Sequence, residues 1–178
     1  ELASKGLPQG QELKILSNYK DILPKELFIK IFNPPKTDGS GYIRKNLQIA
    51  TRLLSSAGWE LVNGQLFHTK TNNQPFEFEI LLVSPAFERI VLPFKDNLQK
   101  LGMKVEVRTI DSAQYQNRLD NFDFDMIVST VRQSLSPGNE QRNFWSSDAA
   151  DTNGSRNIIG IKNSVIDELI EKIISSKD

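Results

Sequence analysis

Cysteine is absent from the 178 residues, which excludes disulfides, thiolate nucleophiles and cysteine metal sites. Histidine occurs once, at His68, so a metal centre built on several imidazoles is excluded too. Net charge is also lacking: 22 lysines and arginines balance 22 aspartates and glutamates. A neutral chain has no global field to gather nucleic acid or an anionic membrane. No dense basic run supplies a local one, so no nucleic-acid partner is expected. No apolar run approaches the ~20 residues of a membrane span. The opening residues Glu1-Leu2-Ala3-Ser4-Lys5 lack an initiator methionine and the apolar core of a secretion signal. The chain is therefore expected to start inside something longer or after processing.

What is present reads as an ordinary globular chain, with 38% hydrophobic and 25% charged residues. Residues 1–42 hold Pro8, Pro24, Asn33-Pro34-Pro35 and Asp38-Gly39-Ser40-Gly41 and show no strong periodicity, which predicts a surface-running connector with two short helices. Residues 43–178 are expected to form an α/β unit. Ile43, Leu47, Ala50, Leu54 and Ala57 share a helical face closed by Gly58. Phe76, Phe78, Ile80 and Leu82 alternate along a strand, with Gln65–Thr69 as its hairpin partner. Phe87, Ile90, Val91, Phe94, Leu98 and Leu101 form a helical stripe ending at Gly102; Pro93 within it predicts a kink or the helix start. Met103–Thr109 is a second strand. Asp111 or Ser112 caps a short helix to Leu119, and Phe124–Val131 is a third strand with Phe124 and Ile127 buried. A short helix is expected near Glu140–Trp145. Ser164 and Asp167 form a capping-box pattern before a helix with Ile166, Leu169, Ile170 and Ile173 on one face. The strand–helix order over 76–131 predicts parallel pairing through right-handed crossovers. Ligands of such sheets gather beyond the carboxyl ends of the strands, here after Val83, Thr109 and Val131.

No catalytic signature emerges. His68 has no G-x-S-x-G motif or similar partner and reads as a turn-proximal histidine. Asp120, Asp123 and Asp125 cluster, but Phe122 and Phe124 interrupt them and no glycine follows, so no calcium loop and no metal site is expected. Gly39-Ser40-Gly41 is too short for a phosphate loop, and no cofactor is expected. Trp59 and Phe67 read as core cover. A hydrolase using Asp123, Asp125 or Glu140 is the rival from another class, and a ligand-free interaction module is a third reading. The segment 132–145 stands apart: hydroxyls, amides, both charge signs and Trp145 follow directly on a strand. The expected ligand-binding residues are Arg132, Gln133, Ser134, Leu135, Ser136, Asn139, Glu140, Arg142 and Trp145. Ser134, Ser136, Asn139, Glu140 and Arg142 should share one exposed wall.

Several runs carry a resemblance to a known family: Arg52-Leu53-Leu54-Ser55-Ser56-Ala57-Gly58-Trp59, Pro75 to Arg89, Leu98-Gln99-Lys100-Leu101-Gly102-Met103-Lys104-Val105, Asp111 to Leu119, Phe122-Asp123-Phe124-Asp125-Met126, Gln133 to Trp145 and Gly154-Ser155-Arg156-Asn157. The sequence resembles the extracellular solute-binding proteins of peptide-importing ABC transporters, the oligopeptide and dipeptide group, and within it the Yej-type peptide and microcin C branch. The resemblance implies a periplasmic binding protein-like lobe with a mixed, largely parallel sheet flanked by helices. It also implies most of the C-terminal lobe of a two-lobed protein whose N-terminal lobe is missing here. Its partners would be a peptide-like solute and ABC permease subunits, in the periplasm or at the outer face of a bacterial membrane. The group is non-catalytic and binds an extended peptide between its lobes. Other oligopeptide binders of the group hold the peptide α-ammonium with an aspartate shortly after the third strand. Arg132-Gln133-Ser134-Leu135-Ser136 contains none, so that role is not carried over; Glu140 or the missing lobe is left to fill it.

Overall fold

The computed structural model describes residues 6–71 and 73–176. The opening residues Glu1 to Lys5 discussed above lie outside the described residues, as do Asn72 and the last two positions.

Two short helices, α1 (Gly10–Ser17) and α2 (Glu26–Ile29), precede an irregular stretch that reaches α3 (Arg44–Ser56). Between α1 and α2, Tyr19 is buried and donates its hydroxyl to Glu168 Oε2 at 2.8 Å, which fastens the opening segment to the last helix. Gly58 follows α3 at φ 91°, as its role in ending the helix requires.

Two small sheets follow. In the first, β1 (Trp59–Val62) and β2 (Gln65–His68) form an antiparallel hairpin with Trp59 opposite His68 and Val62 opposite Gln65. The two turn residues, Asn63 and Gly64, have φ 51° and 83°. That is the left-handed pair an Asn-Gly hairpin turn demands. β3 (Gln74–Pro75) pairs with the other edge of β2. The arm expected to pair with residues 76–82 therefore pairs mainly with 59–62. The Asn-Gly turn makes that closure local, and from the far side β2 is reached only by the two β3 residues and the Phe76 N–H, which donates to the Leu66 carbonyl at 2.9 Å.

The second sheet is parallel, in the order β5-β4-β6. Central β4 (Glu77–Leu82) aligns with β5 (Lys104–Thr109) over six residue pairs from Glu77–Lys104 to Leu82–Thr109. Ile80, Leu81 and Leu82 are each at most 1% exposed. A strand buried on both faces tolerates such an unbroken apolar run, whereas one with a solvated face would alternate. Ile80, Leu82, Val91 and Val105 form the core, with Phe78, Leu98, Met103 and Val107 against it.

The crossover helix α4 (Glu88–Gln99) is led in by a 3₁₀ turn, Pro85–Phe87, in which the Ala86 N–H donates to Ser84 Oγ at 3.3 Å. Pro93 lies inside α4 rather than marking its start. Gly102 then reverses the chain at φ 89°, its carbonyl accepting from Leu66 N at 2.8 Å and so joining the two sheets. α5 (Ser112–Asp120) is capped by Asp111, whose carboxylate accepts from the N–H groups of Ala113 and Gln114, both at 3.0 Å.

The third strand is much shorter than expected. Only β6 (Met126–Ile127) pairs, opposite Ile80 and Leu81, and Phe124 and Ile127 are half-buried rather than buried. β6 is the sheet edge and has one neighbour. Its ladder covers Ile80 and Leu81 and stops one residue before β4 ends, and among the described residues no strand on its outer side holds the following residues extended. α6 (Glu140–Trp145) lies where expected and packs on α7 (Ser164–Ser175). The α7 cap is Asn163, not Ser164: its Oδ1 accepts from Val165 N at 2.9 Å. Asp167, assigned to a capping box, instead accepts from Ser147 N at 2.8 Å and Ser147 Oγ at 2.6 Å. The α7 face that packs is Val165 and Ile170, while Ile173 is exposed. No helix among the described residues is long and apolar enough to cross a membrane.

Candidate ligand-binding site

The carboxyl ends of the three parallel strands differ in how their loops are used. After β4, the 3₁₀ turn leads straight into α4, and Thr109 Oγ1 donates to Glu88 Oε1 at 2.8 Å across the strand ends. After β5, Asp111 is consumed as a helix cap. After β6, residues 128–137 run without regular structure and are exposed throughout. None of their backbone N–H groups donates to another backbone group among the described residues. Leu135 is 90% exposed. This is the one long stretch at the strand ends with its main chain open.

Ser134, Ser136, Asn139, Glu140 and Arg142 are all exposed, but their hydrogen bonds divide them. Ser134 Oγ donates to the Ser136 carbonyl at 2.8 Å, a local turn. Glu140 accepts from Gly138 N at 2.9 Å and from the Gln141 amide at 3.1 Å. The Gly138 N–H, and after it the Gln141 amide, hold the Glu140 carboxyl below its ordinary range. Arg142 is bonded to other groups than Glu140. Its Nε and a terminal nitrogen donate to the two oxygens of Glu171 at 2.7 and 2.6 Å, and its other terminal nitrogen donates to Asn139 Oδ1 at 2.6 Å. That fork lowers the Glu171 carboxyl and raises the guanidinium. Arg142 and Asn139 thus fasten α6 to α7. Arg132 makes no hydrogen bond or ion pair among the described residues, and it lies in the open stretch with Gln133 and Leu135.

Gln141 is a residue that sequence reasoning passed over. It is buried, and its amide nitrogen donates to Gln133 Oε1 at 2.6 Å while its oxygen accepts from Trp145 Nε1 at 3.2 Å. It pins the open stretch to α6 and orients the indole. Its spacing of four from Trp145 on a short helix was the available signal. Asn157, fully buried, has a similar part: its side chain binds the carbonyls of Ser146 and Ile161 and the N–H of Ile161 at 2.8–3.0 Å.

Beside β6 opens a cleft of about 680 Å³, walled by Phe122, Phe124, Met126, Trp145, Ile158 and Ile159, with Asp125, Ser129 and Arg156 at its polar points. A smaller polar recess of about 210 Å³ shares Ser129, Val131, Arg156 and Ile158 with it. Of the expected site residues only Trp145 lines the cleft. The other cleft residues come from the strand and its approach, from Ser129 and Val131 just after it, from Ala150 and from 156–160.

The carboxylates of the hydrolase reading are each engaged locally. Asp123 accepts from Arg118 Nε at 3.0 Å, Asp125 accepts from Glu79 N at 2.9 Å, and Glu140 is held as described. Arg118 also reaches Glu79 at 2.8 Å, so this group ties α5 to the sheet. His68 packs edge-on against Trp59, with ring centroids 5.0 Å apart, and its Nδ1 lies 3.0 Å from Thr71 Oγ1. Among the described residues no group of three or more histidines or carboxylates is arranged to hold a metal.

Residues 19–153 match the family model described as bacterial extracellular solute-binding proteins, family 5, middle part. The uncharacterized protein y4wM of Sinorhizobium fredii is 47% identical over all of this chain, which spans 27% of that protein. A probable peptide-binding protein, YejA, of Agrobacterium fabrum is 42% identical over 98% of this chain, which spans 28% of it. The oligopeptide-binding protein AppA of Bacillus subtilis, solved with a nonapeptide, superposes with a TM-score of 0.63 at 22% identity, over 93% of this chain and 34% of its own. At that identity the likeness shows the fold. The chain thus spans less than a third of the length of these two curated relatives.

Proposed function

This chain belongs to the bacterial extracellular solute-binding proteins of family 5, and from that premise we propose that it is most of the C-terminal lobe of a two-lobed importer subunit that binds an extended peptide. On this reading residues 43–178 are the lobe proper and residues 1–42 connect it to the remainder. The solute would be held in the cleft between lobes and passed to ABC permease subunits, in the periplasm or at the outer face of the membrane. Binding and release follow from different affinities of open and closed states, with no bond made or broken.

The observation that carries the reading is the open main chain of residues 128–137 at the carboxyl end of a parallel sheet. An added strand uses main-chain hydrogen bonds for affinity and therefore accepts varied side chains. Arg132, Gln133, Ser134, Leu135 and Ser136 offer those groups, and Trp145 and Glu140 stand behind them. Asn139 and Arg142 support the site from behind through Glu171. The name and peptide-bound state of the relatives above agree in ligand class. The hydrolase reading is disfavoured because its three carboxylates are each held by a different neighbour rather than facing one another.

Hydrogen–deuterium exchange in the presence of a millimolar mixed peptide library tests this. Slowed exchange is expected at the amides of 128–137, and mass spectrometry of the same samples should find the peptides intact. Peptide cleavage would establish an enzyme. Protection elsewhere with none at 128–137 would remove the proposed site.

A further inference from the structure

We infer that the cleft beside β6 is a subsite for an apolar C-terminal residue of the bound peptide, with Arg156 holding the α-carboxylate. The inference rests on the peptide-binding reading and adds an end and a side-chain class to it. Its volume of about 680 Å³ lies within the range of small-ligand pockets, and its walls are largely aromatic and aliphatic. Two charges border it. The Asp125 carboxylate already accepts the Glu79 N–H at 2.9 Å. Arg156 has no carboxylate partner among the described residues, whereas Arg108 and Arg118 are paired with Glu79 and Arg142 with Glu171. The cleft therefore carries one charge of each sign, the carboxylate held in place by a backbone N–H and the guanidinium without an ion-pair partner among the described residues.

Arg156 is also positioned. Its backbone N–H donates to the Asn143 carbonyl at 3.2 Å, and its guanidinium carbon lies 5.8 Å from the centre of the Phe144 ring. Stacking on an aromatic face leaves the N–H edge of a guanidinium free, and that edge matches a carboxylate in two parallel hydrogen bonds. The open main chain of Ser129 to Val131 borders the same cleft. A peptide paired along 128–136 would then end with its side chain against Phe124 and Ile158 and its carboxylate at Arg156.

The test is a ¹⁵N NMR titration of the chain with acetyl-Gly-Gly-Phe, its C-terminal amide and acetyl-Gly-Gly-Ser; acetylation removes any contribution of an α-ammonium. Expected are shifts of the Arg156 Nε–H and Trp145 indole signals with the phenylalanine acid, and a Kd roughly tenfold below those of the other two peptides. Arg156→Gln should raise the acid's Kd to that of the amide, and Arg156→Lys should recover part of the difference, both with otherwise unchanged spectra. Equal binding of acid and amide, or shifts confined to residues 128–136, overturns the subsite and leaves the peptide reading standing. No shift with any peptide at saturating concentration overturns both. Cleft shifts that grow with protein concentration alone would show a second copy in the cleft and would also overturn the subsite.

Discussion

Single residues hold this fold at two points where substitution should be felt. Gly102 sits at φ 89°, and an added Cβ would overlap Leu61 Cδ1 and lie 3.1 Å from Leu66 N. Gly102→Ala should therefore cost about 2–3 kcal/mol from backbone strain and overlap together. It would be read as a lower urea midpoint. An unchanged midpoint would mean that the junction of the two sheets relaxes freely. Arg118 is the second point. Its side chain is 19% exposed and bridges Glu79, 18% exposed, to Asp123. Arg118→Met leaves Glu79 with only the more exposed Arg108. The expected loss is about 1–2 kcal/mol, and a double-mutant cycle with Glu79→Gln should recover most of it. At this scale the sequence was partly legible. Asp111 and Gly58 announced their capping roles because those roles need only neighbours in sequence. Arg142 did not, because its partner Glu171 lies 29 positions away and only the packing of α6 on α7 brings them together.

Elements with their own periodicity could be read directly, and those defined by a neighbour could not. α4 and β4 carry long apolar patterns and lie close to where those patterns predict. β6 has the same kind of pattern in Phe124–Val131, yet it pairs over two residues although β4 runs over six, because apolar alternation sets which face turns inward and not how far the backbone stays within hydrogen-bonding reach of its neighbour. The β1–β2 hairpin was written in Asn63-Gly64, but the arm at Gln65–Thr69 was assigned to the later strand. The α6–α7 contact yields a prediction of its own. Arg142 lowers the Glu171 carboxyl below its ordinary value of 4.5. A depressed folded-state value means a contribution fully present above the unfolded value and lost as the pH falls through the folded one. The stability gap between the parent chain and Arg142→Ala should therefore be largest at neutral pH. It should shrink as the pH drops below about 4.5, and high salt should shrink it as well, since the pair is exposed. Urea midpoints of both proteins at pH 7 and pH 3 would show this. A gap that does not change with pH would mean that Arg142 acts by packing alone.

The molecule as a whole exposes far more surface than its mass accounts for. A compact monomer of 20.2 kDa should present roughly 8,800 Å², whereas this chain presents 13425 Å². Large apolar side chains contribute to it, among them Phe32, Tyr42 and Leu135, each more than 85% exposed. Such a surface agrees with the proposal that the chain is a lobe packing on further protein, and that proposal sets what the chain should do by itself. A two-lobed binder excludes water from its ligand by closing both walls, and polar contacts strengthen as water leaves. On the proposed reading residues 128–137 and the cleft beside β6 form one wall of the site and can make only part of those contacts. The cost of immobilising the ligand, of order 4–15 kcal/mol, is undiminished. The chain by itself should therefore bind peptides no tighter than roughly millimolar, about −4 kcal/mol, and should self-associate as its concentration rises. Calorimetry with a mixed peptide library, run alongside sedimentation velocity, measures both. Micromolar binding by monomeric chain would mean that the site is complete within these residues, and the half-cleft account of its function would have to be abandoned.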